Sequence, residues 1–285
     1  MSEKLLRLPA PAKLNLMLRV VGRRPDGYHL LQTVFQFVDQ CDWVVLRERR
    51  DGHIGLASLL PGVPEESDLT VRAAKLLRQA AGNEGLGVEI EVEKNLPMGG
   101  GLGGGSSDAA TTLLGLNALW ELGLSIETLA GLGLQLGADV PVFVRGYAAW
   151  GEGVGEDLTP LPELPEPWYV VVTPPCHVAT GAIFSSPDLT RDNKPIKISD
   201  FVAGRQENHC LPVVAKLYPP IREAIEAVGE FALQAKLTGT GACVFGSFND
   251  ENEAREAARK LSGRWRIFVA KGMNVSPAHS ALGLA

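Results

Sequence analysis

The chain has 285 residues, 45% hydrophobic and 21% charged, which supplies enough apolar side chain for a substantial core and excludes a disordered polymer. Its formal net charge of −6 argues against a protein that wraps nucleic acid, since such proteins carry a clustered excess of Lys and Arg. Any phosphate held here must therefore find much of its field in backbone donors.

In chain order, Lys4, Arg7, Pro9 and Pro11 interrupt the N-terminus before a secretory apolar stretch can form. From Lys13 the residues alternate, placing Leu14, Leu16, Leu18 and Val20 on one face of a strand and Lys13, Asn15, Met17 and Arg19 on the other. Arg24-Pro-Asp-Gly27 has turn chemistry, and residues 28–38 and 43–47 read as two further strands. A helix is predicted over 70–81, followed by a half-exposed strand in which Val88, Ile90 and Val92 alternate with Glu89, Glu91 and Glu93. Helices are expected over 107–120 and 125–136. The stretch 151–167, rich in Gly, Pro and acid, predicts a boundary between an N-terminal domain, 1–155, and a C-terminal domain, 156–285. A strand at 168–173 follows. The longest segment free of Asp, Glu, Lys and Arg, 167–187, holds Pro174, Pro175 and His177 and is unlike a spanning helix. Little is legible from there to about Lys236. The end reads as strand, Gly239-Thr-Gly241, strand 242–248, helix 251–261 and strand 266–270. Cys41, Cys176, Cys210 and Cys243 lie far apart without a C-x-x-C pair and suit neither zinc nor a disulfide framework. Together these features predict a cytoplasmic protein with no membrane and no nucleic-acid partner.

The segment Pro97-Met-Gly-Gly-Gly-Leu-Gly-Gly-Gly-Ser-Ser107 dominates the functional reading. Gly99-x-Gly101-x-x-Gly104 formally fits a dinucleotide fingerprint, but such a loop follows a buried parallel strand, and the preceding VEIEVEK carries a Glu at every second position. A Walker A loop fails because Gly105, not Lys, follows Gly104. What remains is six glycines around Leu102, then Ser106, Ser107 and a helix start, with no charged residue from Leu96 to Ser107. Converging backbone N–H groups and the helix N-terminus, worth roughly half a positive charge, suit phosphate better than a merely flexible turn.

With its continuation to Ala110, this segment resembles the second motif of the GHMP kinases. Pro11-Ala-Lys-Leu-Asn-Leu16 resembles the first motif and Leu237-Thr-Gly-Thr-Gly-Ala-Cys-Val-Phe245 the third, in the expected order. The resemblance implies an α+β, two-domain GHMP kinase fold: a ribosomal S5 domain 2-like N-terminal domain, a ferredoxin-like C-terminal domain and an active site in the cleft between them. Arg24-Pro-Asp-Gly-Tyr-His-Leu-Leu-Gln32 and Leu136-Gly-Ala-Asp-Val-Pro-Val-Phe143 make the chain similar to those members that phosphorylate a cytidine diphosphate-linked polyol in non-mevalonate isoprenoid synthesis. Another acceptor, such as homoserine, mevalonate or a sugar, or a non-catalytic nucleotide-binding protein, stands as an alternative.

Asp139 is the only charged residue between Glu127 and Arg145, and before Val140-Pro141 it could simply cap a short helix. By resemblance it is the base that accepts the hydroxyl proton. Lys13 alone would read as a solvated strand residue; by resemblance its ammonium stands near Asp139 and the transferred phosphoryl group. Asn15, on the same face, could orient the acceptor alcohol. Tyr28 and His29 could merely pack beside a turn, and Gly239-Thr-Gly241 could be only a turn. By resemblance Tyr28 and Phe184 stack on the cytosine, His29 bonds its edge, and Thr180, Thr240 and Gly241 belong to the acceptor side. The resemblance gives ATP the contacts Pro97, Met98, Gly99, Gly100, Gly101, Leu102, Gly103, Gly104, Gly105, Ser106, Ser107, Lys94, Asp68 and Leu69. Mg²⁺ is expected with ATP, with Ser106 or Ser107 as possible hydroxyl ligands and no carboxylate motif visible; the assembly is expected to be a monomer or homodimer.

Overall fold

The computed structural model describes residues 4–25 and 27–284. Two long antiparallel strands, β1 (Leu5–Arg23) and β2 (His29–Arg49), form its spine, in register from Leu5 opposite Arg47 to Arg23 opposite His29. Strand pairing begins well before Lys13, and the two strands expected over 28–38 and 43–47 are one continuous strand. Asp26 of the predicted turn lies outside the described residues, but Gly27 N donates to Arg24 O at 3.0 Å and closes the hairpin.

Alternation along β1 holds only in part. Register shifts between Pro11 and Lys13 and between Asn15 and Met17 mark bulges on either side of the Lys13–Asn15 pair. The second bulge swaps faces, so that Leu18, not Met17, shares a cavity wall with Lys13 and Asn15. Met17 instead joins Leu14 and Leu16 in a buried cluster.

In chain order there follow β3 (Ile54–Leu56), α1 (Leu69–Ala81), β4 (Gly87–Glu93), α2 (Gly104–Leu119), α3 (Ile126–Leu134), α4 (Val140–Arg145), β5 (Ala149–Glu152) and β6 (Asp157–Pro160). After β7 (Trp168–Thr173) come α5 (Thr180–Ser185), α6 (Ile198–Val202), α7 (Leu211–Leu217) and α8 (Pro219–Gly229), all in the stretch where the sequence offered no clear period. β8 (Ala235–Leu237), β9 (Val244–Phe248), α9 (Glu251–Leu261), β10 (Arg266–Met273) and α10 (Pro277–Leu282) complete the chain. The sheet order is β3-β4-β2-β10-β7-β9-β8, with β1 and β5 also paired to β2 and β6 to β5.

The two halves share this sheet. β10 pairs along most of its length with β7, and its end reaches β2 through Gly272 and Met273. The 151–167 stretch begins inside β5 and includes β6, so it completes a hairpin that β5 attaches to β2, before the chain runs on to β7. The last turn of chain returns to the N-terminal half, where a ring nitrogen of His279 lies 2.8 Å from Val144 O. Among the described residues no helix is long and apolar enough to cross a membrane.

One core lies between α1–α4 and the N-terminal strands and a second among α5, α7, α8, α9 and the C-terminal strands. A third joins the halves, built from Leu14, Met17, Val34 and Val38 on one side and Tyr169, Val171, Cys243 and Phe245 on the other. Leu102, the lone apolar residue among the six glycines, is 1% exposed and belongs to this central core. Its side chain thus anchors the loop. Leu102→Ala is expected to cost about 2–4 kcal/mol of unfolding free energy in a denaturant titration, and to raise the KM for ATP by loosening the loop.

Candidate active site

Lys13 is 2% exposed, contrary to the solvated position an isolated strand lysine would take. Its ammonium donates to Asn15 Oδ1 at 2.6 Å and to Gly101 O at 2.8 Å, and lies 3.4 Å from Asp139 Oδ2. The backbone of the same residue donates to Leu102 O at 2.9 Å. β1 and the glycine loop are therefore fastened at two points through one residue. Asn15 in turn donates through Nδ2 to Thr33 Oγ1 at 2.8 Å, which leaves its Oδ1 facing Lys13.

Asp139 occupies the position before α4, with Pro141 in the first turn, but its side chain makes no capping hydrogen bond. A cap reading of the carboxylate is thereby removed, and the group faces Lys13 while remaining 37% exposed.

The glycine loop needs glycine for stated steric reasons. Gly99, Gly101 and Gly103 have φ of 69°, 77° and 73°, in the left-handed region that side chains rarely adopt. A Cβ on Gly101 would stand 2.3 Å from Thr238 O, and one on Gly103 2.8 Å from the Phe143 ring. α2 starts at Gly104, three residues earlier than Ser107, because Gly103 itself makes the left-handed entry and Ser107 N donates to Gly103 O at 2.8 Å. The N–H groups of Gly104, Gly105 and Ser106 are thereby left without helix acceptors, as the first turn of any helix requires.

Two cavities meet at this helix start. The first, about 370 Å³, is walled by the glycines, Pro97, Met98, Ser106, Asp68, Leu69, Lys94 and Asp108. The second, about 330 Å³, is walled by Lys13, Asn15, Thr33, Asp139, Thr180, Phe184, Gly239 and Thr240. Gly101 and Ser106 line both. Leu102 and Ser107 are buried and line neither, and Gly241 turns its open side toward Leu237, Ile221 and Val178.

Lys94 and Asp68 reach the first cavity while holding structural partners. Asp68 accepts from Thr70 N at 2.8 Å and Thr70 Oγ1 at 2.6 Å as the cap of α1. Lys94 pairs with Asp108 at 2.8 Å and with Asp42, whose other oxygen accepts from Asn95 N and Leu96 N at 2.5 and 2.7 Å. Burial, partly offset by Lys94, pushes the Asp108 carboxyl up to about 7, and its Oδ1 has no hydrogen-bond partner.

On the acceptor side, Thr180 and Thr240 share a hydrogen bond of 3.0 Å across the two halves of the C-terminal region. Phe184 stacks on His29 with ring centroids 4.9 Å apart and planes at 26°. Tyr28 stands 64% exposed beside them and does not line the second cavity.

Against proteins of known identity, residues 68–147 match the model of the GHMP kinases N-terminal domain and residues 196–267 that of the GHMP kinases C-terminal domain. A protein of Methylococcus capsulatus named 4-diphosphocytidyl-2-C-methyl-D-erythritol kinase is 60% identical over 99% of this chain and 96% of its own length. The chain belongs to that family of GHMP kinases. A crystal structure of a 4-(cytidine 5′-diphospho)-2C-methyl-D-erythritol kinase superposes with a TM-score of 0.81 at 34% identity, covering 94% of this chain and 99% of the other. Homoserine kinase of Cytophaga hutchinsonii superposes with a TM-score of 0.73 at 18% identity over 97% of each chain, a likeness of fold alone.

The GHMP kinase motifs thus converge on one place, but several residues that hold it together were not singled out from the sequence. Thr238 accepts from Asn15 N at 3.1 Å and donates to Gly101 O at 3.1 Å, joining the third motif to the other two. Its place within LTGTG was the available signal. Asp42 and Arg191 gave none, because Lys94 and His29, which they reach at the site, lie 52 and 162 residues away. Asp108 supplies a pH test. Between the ordinary aspartate range, about 4, and about 7, the folded form holds a proton that the unfolded form has released, so stability falls as pH rises. Asp108→Asn is therefore expected to gain in Tm relative to the parent from pH 4 to 7, and to keep a constant gap above that.

Proposed function

We propose that the chain transfers the γ-phosphoryl group of ATP to the 2-hydroxyl of 4-diphosphocytidyl-2-C-methyl-D-erythritol, a cytoplasmic step of non-mevalonate isoprenoid precursor synthesis. The observation that carries this reading is the meeting of the two cavities at Gly101 and Ser106, with the Lys13–Asp139 pair in the second. The triphosphate takes the first cavity, its γ-group directed at the unpaired N–H groups at the start of α2. The polyol takes the second, its hydroxyl beside Asp139.

Asp139 accepts the hydroxyl proton as the oxygen bonds to the γ-phosphorus and the bond to the bridging oxygen of ADP breaks. Lys13 offsets charge that develops on the transferred group, and Asn15, oriented through Thr33, positions the alcohol. Among the described residues no group of three or more His, Cys, Asp or Glu side chains could cage a metal. The residues fit instead a Mg²⁺ carried by the triphosphate with one added oxygen, for which the Ser106 hydroxyl, at the junction of the cavities, is the candidate. Such an ion supplies charge neutralisation to the phosphates.

Purified protein with ATP, Mg²⁺ and the cytidine substrate is expected to release ADP, while homoserine, mevalonate and galactose leave the rate at the no-acceptor background. Release with one of those and not with the cytidine ester would overturn the substrate assignment. Asp139→Asn is expected to lower kcat by about 10²–10⁴-fold, the usual worth of a general base, with ATP affinity unchanged by calorimetry.

A further inference from the structure

A further cavity, about 480 Å³, opens in the C-terminal half and shares no wall residue with the two cavities of the active site. Its volume is that of a small-molecule site. The floor is apolar: Leu16 of β1, Tyr169 of β7, Phe201 of α6 and Phe245 of β9 line it, and none is more than 9% exposed. The Tyr169 hydroxyl donates to Gln36 Oε1 at 2.6 Å, so this residue offers the cavity a ring and no free polar group. At the mouth Val202 of α6 stands 73% exposed, an apolar wall residue left in water.

Lys236 of β8 brings a cation into this wall. Its Nζ donates to Gln206 Oε1 at 2.5 Å and to Leu16 O at 3.3 Å. Gln206 is itself held in place, since its Nε2 donates to Phe201 O at 3.2 Å. Both acceptors are neutral and an ammonium has three donors, so one N–H and the whole charge are left over. No carboxylate among the described residues forms an ion pair with Lys236: Glu207, next to Gln206, is engaged by Arg19 at 3.0 Å, and Glu163 lies on the exposed rim. Burial accordingly holds the Lys236 pKa down to about 8, with Glu207 offsetting only part of the effect. At neutral pH the group is charged and short of a counter-ion.

We infer that this cavity is a second ligand site, one that takes a small monocarboxylate with an apolar body, its carboxylate on Lys236 and its body across Tyr169, Phe201 and Phe245. A single left-over donor and a single charge match one carboxylate. A phosphate monoester would set nearly two negative charges against one cation and leave the excess buried. A neutral ligand leaves the ammonium as it stands, and a cationic one is repelled. The body matters as much as the head, because covering the floor and Val202 removes apolar surface from water.

The probe is octanoate, compared with octanol, which has the body without the charge, acetate, which has the charge without the body, and octyl phosphate. The full chain is acetylated sparingly at pH 8, and the modification of each lysine is read by peptide mass mapping. Octanoate is expected to protect Lys236 saturably and to leave the exposed Lys75 and Lys260 unchanged, while acetate and octanol at the same concentration protect none of them. By calorimetry octanoate is expected to bind the parent at least about tenfold tighter than Lys236→Met, the scale of one charge-assisted hydrogen bond. No protection at Lys236, or equal protection of all three lysines, overturns the site, and that reading needs no variant to fold. Equal affinity for octanoate and octanol, or for octanoate in the parent and in a folded Lys236→Met, overturns the role of the ammonium. Tighter binding of octyl phosphate than of octanoate overturns the monocarboxylate assignment.

Discussion

A buried ammonium organises this molecule. An isolated charge taken out of water costs several kcal/mol, and Lys13 meets that cost by drawing Asn15 Oδ1, Gly101 O and the Asp139 carboxylate around one nitrogen. Each partner comes from a different part of the chain: the same strand, the glycine loop and the start of α4. The Phe35 ring, centred 5.7 Å from Nζ, covers another side. Removing Asp139 leaves the ammonium without its counter-charge, and removing either neutral oxygen leaves one of its N–H groups without that acceptor, so the requirement to satisfy Lys13 holds the phosphate loop and the carboxylate in a fixed relation.

The C-terminal half reinforces that relation from above. Thr238 bonds both Asn15 and Gly101, and Cys243 N donates to Gly100 O at 3.0 Å, so the turn after β8 lies directly on the glycine loop. The closeness of that approach is what excludes a side chain at Gly101. Beneath it, Leu102 enters the core shared by the two halves. The junction between cavities is therefore a packed, hydrogen-bonded seam.

Features of the site were legible in the sequence wherever a local rule was broken. Six glycines with no charge among them and a lone carboxylate in an apolar stretch each violate what a helix or loop would choose for itself, whereas Lys13 broke no such rule and was marked only by the resemblance of its motif. The face shared by Lys13 and Asn15 was readable because bulges flank that pair without separating it; the next bulge, set by pairing with β2, could not be read and moved Leu18 to the cavity. Thr238, Asp42 and Arg191 escaped for a related reason, since what each does is decided by residues far along the chain. In the fold, the amphipathic helix α1 and the alternating β4 were plain, whereas α5, α6 and α7, none longer than seven residues, are too short for a period to register.

If Lys13 and Asp139 act as one unit, their removal cannot be counted twice. A cycle of Lys13→Met, Asp139→Asn and the double variant, followed by kcat for ADP release with the cytidine substrate, measures this directly. The account predicts that the double variant is no slower than the slower single variant, within about threefold. Losses that multiply would contradict it, because they would mean that the lysine and the carboxylate contribute independently.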